Sequence, residues 1–145
     1  AYVFGKSGLL SLDYSYKDYS QIKFDSDING FENDTNTFSD LNDAIDNTLK
    51  GTSTFRLGGE YRISLLTLRG GFRYSESPYE NENMLGDLTG FSAGLGYNFG
   101  SYTIDLAYSR AEQDRAQRLN TIGFNNAASV NTIYSNYVLS FGFTF

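Results

Sequence analysis

Residues 137–145, Tyr-Val-Leu-Ser-Phe-Gly-Phe-Thr-Phe, place a large apolar side chain at every second position. Tyr137, Leu139, Phe141, Phe143 and Phe145 share one side, and Val138, Ser140, Gly142 and Thr144, mostly small or polar, share the other. A repeat of two belongs to a β-strand with unlike faces. At the end of a soluble chain such a greasy edge invites aggregation. As the lipid-facing side of the last strand of an outer-membrane β-barrel, the same pattern is expected.

The alternation recurs. Leu10, Leu12, Tyr14 and Tyr16 alternate with Ser11, Asp13, Ser15 and Lys17. Phe55 to Ile63, Leu66 to Tyr74, Phe91 to Phe99 and Ile104 to Tyr108 repeat it, which with the final segment makes six strands, each with one polar side. Their connections are unequal. Lys6-Ser7-Gly8, Ser64-Leu65 and Gly100-Ser101 read as tight hairpin turns, whereas segments 25–52, 77–89 and 111–132 are long and polar. Short turns at one end and long loops at the other are the outer-membrane arrangement, with turns toward the periplasm. Aromatic residues fall where two interfacial belts would need them. Tyr2, Phe4, Phe99, Tyr102 and Phe145 lie near the turn ends, and Phe24, Phe55, Tyr74, Phe91, Tyr108 and Tyr134 near the loop ends. A soluble sandwich would keep its outer face polar, but here the polar side carries small and charged residues.

Composition agrees with this reading and excludes several others. No stretch approaches the roughly 18 apolar residues of a membrane-spanning helix. The mean hydropathy of −0.38 does not count against a barrel, whose strands hide their signal by alternating. There is no Cys or His, so no disulfide scaffold, thiolate or histidine metal site, or Ser-His or Cys-His catalytic set can be built from these residues. No enzymatic activity and no cofactor are expected. Asp25, Asp27, Glu32, Asp34, Asp40, Asp43 and Asp46 crowd one segment against Lys50 alone, and this accounts for the net charge of −6. With no net basic surface, nucleic acid is not an expected partner.

Charged residues on the polar side are the candidate site. A turn at Ser64-Leu65 pairs Ile63 with Leu66, Arg62 with Thr67, Glu60 with Arg69, Gly58 with Gly71 and Arg56 with Arg73. Glu60 and Arg69 then form a cross-strand ion pair. Arg56 opposite Arg73 calls for acidic neighbours, of which Asp13 is one, or for an anionic partner. With Asp105, these residues make a lumen charge network that either stiffens the wall or attracts an anionic headgroup. Asp25-Ser-Asp27-Ile-Asn29-Gly matches the start of a calcium loop, D-x-D-x-N-G, but the twelfth position is Asn36 rather than Glu and the flanking helices are missing. An acidic solvated loop is the plainer reading, so no metal is expected. Ser39 to Lys50 fits a short helix capped by Ser39, with Leu41, Ala44, Ile45, Thr48 and Leu49 on one side. Such a helix would pack over the barrel mouth.

Residues 1–5 read as the lower end of a further strand, giving seven. Single-chain barrels have an even number, and an open edge in lipid costs several kcal/mol for each unpaired backbone group. The expectation is that this is the C-terminal part of a larger barrel, its edge at residues 1–5 paired by the rest of that barrel or by a partner chain. An eight-stranded barrel lacking about one strand is the alternative.

The run Ala1-Tyr2-Val3-Phe4-Gly5-Lys6-Ser7-Gly8-Leu9-Leu10-Ser11-Leu12-Asp13-Tyr14-Ser15-Tyr16-Lys17-Asp18-Tyr19-Ser20 resembles a hairpin of FadL-like proteins of Bacteroidetes. Asn42 to Ile45 through Arg56 to Arg62, Ser77-Pro78-Tyr79 and Gly94-Leu95-Gly96-Tyr97 are similar to the same family. The resemblance implies a fourteen-stranded outer-membrane barrel with an N-terminal plug that passes long-chain fatty acids or other hydrophobic compounds. It implies no ligand contact within these residues. Its last strand, with Tyr137, Leu139, Phe141, Phe143 and Phe145, also resembles the C-terminal signal read by the barrel-assembly machinery of Gram-negative bacteria. Expected partners are that machinery, outer-membrane lipid and lipopolysaccharide. Two other functions stay open. One is a non-transporting structural or accessory subunit of an outer-membrane secretion or assembly complex. The other is a small eight-stranded barrel with an adhesive or membrane-stabilising role.

Overall fold

The computed structural model describes residues 1–24, 35–81, 84–117 and 128–144. The calcium-like residues Asp25, Asp27 and Asn29, and the terminal Phe145, lie outside them. The described elements are β1 (Tyr2–Phe4), β2 (Gly8–Asp18), α1 (Thr35–Thr48), β3 (Gly51–Ile63), β4 (Leu66–Ser75), β5 (Leu85–Asn98), β6 (Tyr102–Gln117) and β7 (Ala128–Phe143). The fold is all-β. The strands form one antiparallel sheet in the order β1-β2-β3-β4-β5-β6-β7, each paired with its neighbours in sequence. The sheet is open: β1 and β7 run in the same direction and form its edges.

Hairpin geometry explains the register. Ser64-Leu65 joins β3 to β4 in two residues, with Ser64 in the left-handed region at φ 55°. Ile63 therefore faces Leu66, and the pairing runs through Glu60 and Arg69 to Arg56 and Arg73, as the sequence predicts. The β5–β6 turn needs glycine. Gly100 has φ 96°, its amide donates to Asn98 Oδ1 at 2.7 Å, and the Phe99 amide donates to the Tyr102 carbonyl at 2.8 Å.

Register carries each side-chain type from strand to strand. Leu12, Leu57, Phe72 and Phe91 are consecutive partners on one face, while Ser11, Gly58, Gly71, Ser92, Ser109 and Asn136 are consecutive partners on the other. No hydrophobic residue among the described ones is buried. The sheet has an apolar face but no apolar core.

The apolar band crosses the strands obliquely. On β2 it reaches up to Tyr16, and on β6 only to Tyr108, which lies level with Leu10 when the register is followed across. The band descends by about six residues over the four steps from β2 to β6, which at ~3.3 Å per residue and ~4.8 Å per step is a strand tilt of roughly 45°. Phe55 to Ile63 spans it on β3, giving a height of roughly 20 Å perpendicular to the band at that tilt. Its margins are aromatic and its middle is aliphatic or small. Tyr14 packs on Phe55 with centroids 4.8 Å apart, and Tyr108 on Tyr137 at 4.9 Å, along the upper margin. Tyr97, Phe99 and Tyr102 stack in succession at 4.5 Å along the lower one.

Three expectations need correction. The long connections are shorter than expected, because β5 begins at Leu85, β6 runs to Gln117 and β7 begins at Ala128. Beyond the band both faces are polar, so pairing continues where no alternation betrays it. Tyr134 is not a belt residue: it pairs with Ala111 on the polar face, and the Arg115 guanidinium donates to its hydroxyl at 3.2 Å. Tyr137 fills the belt position instead. Ser39 does not cap the helix, which begins four residues earlier at Thr35.

Gly100→Val should destabilise the fold by about 1–2 kcal/mol, since a β-branched residue must be forced to positive φ. Ser64→Gly should relieve the strained turn and raise stability by a few tenths of a kcal/mol. Denaturant midpoints of both variants in the same detergent check the pair of signs.

Candidate functional site on the polar face

Among the described strand residues, the polar face carries Asp13, Glu60 and Asp105 against Lys17, Arg56, Arg62, Arg69, Arg73 and Arg115. This face is therefore basic in a chain whose net charge is −6. Basic side chains gather on one side of the sheet, and the acidic excess falls in residues 25–50 of the sequence.

The lower half of the face holds a continuous ladder. Glu60 Oε1 accepts from Arg62 Nε at 2.7 Å, and Glu60 Oε2 accepts from Arg69 Nε at 2.9 Å. Arg69 Nη1 then donates to Asp105 Oδ1 at 2.5 Å. Arg69 stands on β4 and Asp105 on β6, so this bond passes over β5. It can do so because β5 presents glycine beneath it: Gly94 lies opposite Arg69 and Gly96 opposite Asp105. A Cβ at Gly96 would collide with the Asp105 carboxylate. The two glycines are therefore the floor of the ladder. These side chains are all partly exposed, so each pair alone contributes at most about 1 kcal/mol. Their joint effect is to fix the orientation of four side chains across four strands.

The upper half is organised differently. Arg56 Nη1 donates to Asp13 Oδ1 on β2 at 2.5 Å. Arg73 faces Arg56 directly across the β3–β4 pair, and the same row continues through Gly90 and Ala111 without an acid. No described carboxylate pairs with Arg73. Beside it the face sinks into a hollow of about 340 Å³, lined by Arg56, Arg73, Leu88, Ser92, Ser109 and Asn136 among others. Gly71 and Gly90 form part of its wall.

The loop end is locked by contacts that alternation could not forecast. A register shift between Leu85 and Leu88 turns Asp87 out of the ladder. Its carboxylate accepts from the Tyr74 hydroxyl at 2.5 Å and from the Ser77 amide at 2.8 Å. Ser77 is fully buried, and its hydroxyl accepts from the Tyr79 amide at 3.2 Å. The same segment grips the end of α1: the Lys50 amide donates to the Pro78 carbonyl at 2.8 Å, and the Glu80 amide to the Thr48 carbonyl at 3.0 Å. Phe24, expected in the belt, is instead tied to α1, where the Asn42 side chain accepts from its amide at 2.8 Å and donates to its carbonyl at 3.0 Å. Above the band the apolar face also ends in polar pairs, Arg110 with Glu112 and Asn131 with Asp114.

The sequence pairs Arg56 with Arg73 and Glu60 with Arg69, and the structure places all seven candidate residues on one face, six of them in two connected groups. Arg62, Glu60, Arg69 and Asp105 are connected; Asp13 and Arg56 form a separate pair; Arg73 stands apart. The reach from Arg69 to Asp105 escapes sequence reading because it joins strands that are not neighbours. The spaced glycines Gly94 and Gly96 were its available signal.

Gly96→Val should cost about 1–3 kcal/mol by overpacking the ladder, and most of that cost should vanish in an Asp105→Ala background. A double-mutant cycle of denaturant midpoints measures the coupling. Arg69→Gln should lower stability by about 1 kcal/mol, less at high salt, as expected of partly exposed ion pairs.

In comparisons with known proteins, no family model, curated protein or solved structure matches this chain.

Proposed function

We propose that this sheet is part of the wall of a β-barrel in the outer membrane of a Gram-negative bacterium, and that the barrel admits hydrophobic compounds, long-chain fatty acids among them. The observation that carries the membrane reading is the apolar face. It extends across all seven strands, and no described apolar residue is buried. A continuous patch of this size is far beyond what a solvated surface tolerates.

The shape of the band favours lipid over a second protein layer. A sandwich core has no reason to sort aromatics to two margins, whereas a bilayer favours amphipathic rings at both headgroup depths. A tilt of roughly 45° and a height of roughly 20 Å are close to those of a membrane barrel, whose strands tilt by about 35–45° around an apolar band of about 25 Å. The turns between β1 and β2, β3 and β4, and β5 and β6 then face the periplasm. The helix and long connections face outward, and β6 and β7 rise beyond the band by roughly 20 Å. The edges of β1 and β7 are completed by further strands of the barrel. Their number is odd, because β1 and β7 run in the same direction and every pairing is antiparallel.

Transport of hydrophobic compounds rests on the resemblance of residues 1–20 to FadL-like hairpins. The physical support is a polar, basic inner face interrupted by a hollow rather than filled by side chains. The segment at Ser77 and Asp87 and the helix it grips would shape the outer mouth.

Leu95→Arg, at the middle of the lipid-facing band, should impair folding into bilayer vesicles by about 2–4 kcal/mol, while Ser140→Arg on the inner face should have little effect. Vesicle-folding equilibria measure both, and equal effects would count against a membrane-facing band. For transport, labelled long-chain fatty acid should enter cells that produce the protein faster than cells that lack it. Unchanged uptake would exclude that substrate.

A further inference from the structure

The hollow beside Arg73 combines three features that no structural role of this face requires. First, its charge is uncompensated. Arg56 has the Asp13 carboxylate, but Arg73 has no described acidic partner although it stands directly opposite Arg56. Two guanidinium groups facing each other across one strand pair repel, and a merely stiffening network would place an acid between them. The lower ladder does so at each step, with Glu60 between Arg62 and Arg69 and Asp105 beyond Arg69.

Second, the polar side chains lining the hollow are donors. Ser92, Ser109 and Asn136 stand in the row next to the two arginines, and no Asp or Glu lines the hollow. Hydroxyls and a carboxamide can each donate one or more hydrogen bonds to an oxygen ligand. Third, the hollow is asymmetric. Leu88 brings apolar surface to it on the loop side of the arginine row, while Gly90 and Ala111 in that row and Gly71 below it keep the wall low.

We infer that this hollow binds one oxyanionic group, held by the forked donors of Arg73 with Arg56 and the serine hydroxyls beside it, with an attached hydrocarbon lying along Leu88 and Ala111 toward the outer mouth. Planar guanidinium donors match the paired oxygens of a carboxylate or a phosphate in a way a lysine cannot. The net charge of the row, two arginines against Asp13, fits one negative charge on the ligand. The chemistry shared by both sources is an oxyanion; a free inorganic anion and the headgroup of an amphiphile differ only in what lies over Leu88. This inference rests on reading the polar face as the barrel's lumen.

The test is equilibrium binding to the natural full-length protein in lipid nanodiscs. Labelled dodecanoate, dodecyl phosphate and dodecanol are compared, with inorganic phosphate as competitor. The expectation is that both anionic probes bind at least about tenfold more tightly than the alcohol, as one charge-assisted hydrogen-bonded pair would give. Arg73→Gln should abolish that preference and leave dodecanol binding unchanged, and Arg73→Lys should restore only part of it. Insertion into the nanodisc is recorded for every variant. A protein that does not insert fails the barrel reading. A protein that inserts, but binds all three probes alike or keeps its anion preference in Arg73→Gln, overturns the site. Displacement of dodecyl phosphate by equimolar inorganic phosphate would assign the site to a free anion. Displacement only at large excess would assign it to an amphiphile.

Discussion

Strand-to-strand hydrogen bonding is the constraint on which everything else here depends. Without a buried core, nothing but the antiparallel ladder holds β1 through β7 in register. Because side chains alternate, that register also decides which residues share a face. A slip of β4 by one residue against β3 would move Arg69 and Arg73 to the apolar side and Leu68 and Phe72 to the polar one. The two-residue turn at Ser64-Leu65 is thus more than a connector. Its geometry fixes both the lipid-like surface and the charged one.

The polar face shows how a sheet builds long-range contacts without a core. Arg69 reaches Asp105 over the glycine floor of β5, so that one guanidinium joins β3, β4 and β6. Small residues here are a way of letting large ones lie flat. The same device used without an acid leaves Arg73 beside an open hollow. Within one face, then, a closed charge network at the turn end gives way to an uncompensated charge nearer the loops. The two halves differ: the lower one is satisfied by its own ion pairs, and in the upper one no described acid meets Arg73.

The connections above the band have their own source of order. Asp87 leaves the ladder at a register shift, and its two accepted hydrogen bonds pin Tyr74 and the buried Ser77. Through Pro78 and Glu80 the same segment holds the end of α1. A polar network of this kind gains from being sheltered, since its groups compete less with water. It ties the β4–β5 connection to the α1–β3 junction and gives that end of the sheet a defined edge.

Much of this was written plainly in the sequence. Alternation with a period of two fixed the strands inside the apolar band, the identity of each face and the pairing around Ser64-Leu65, because those depend on neighbours close in the chain. Net charge located the acidic excess in residues 25–50. What the sequence could not reveal depends on contacts between distant strands. The strand ends beyond the band carry polar residues on both faces, so their extent follows only from pairing partners, as at Gln117 and Ala128. Tyr134 lies on the polar face rather than in the belt because register, not proximity to a loop, sets its side. The oblique descent of the band, the bond from Arg69 to Asp105 and the isolation of Arg73 all require knowing which residues stand level across several strands. Local pattern determined that this chain makes a two-faced sheet; only the assembled register decided which charges meet and that no described acid pairs with Arg73.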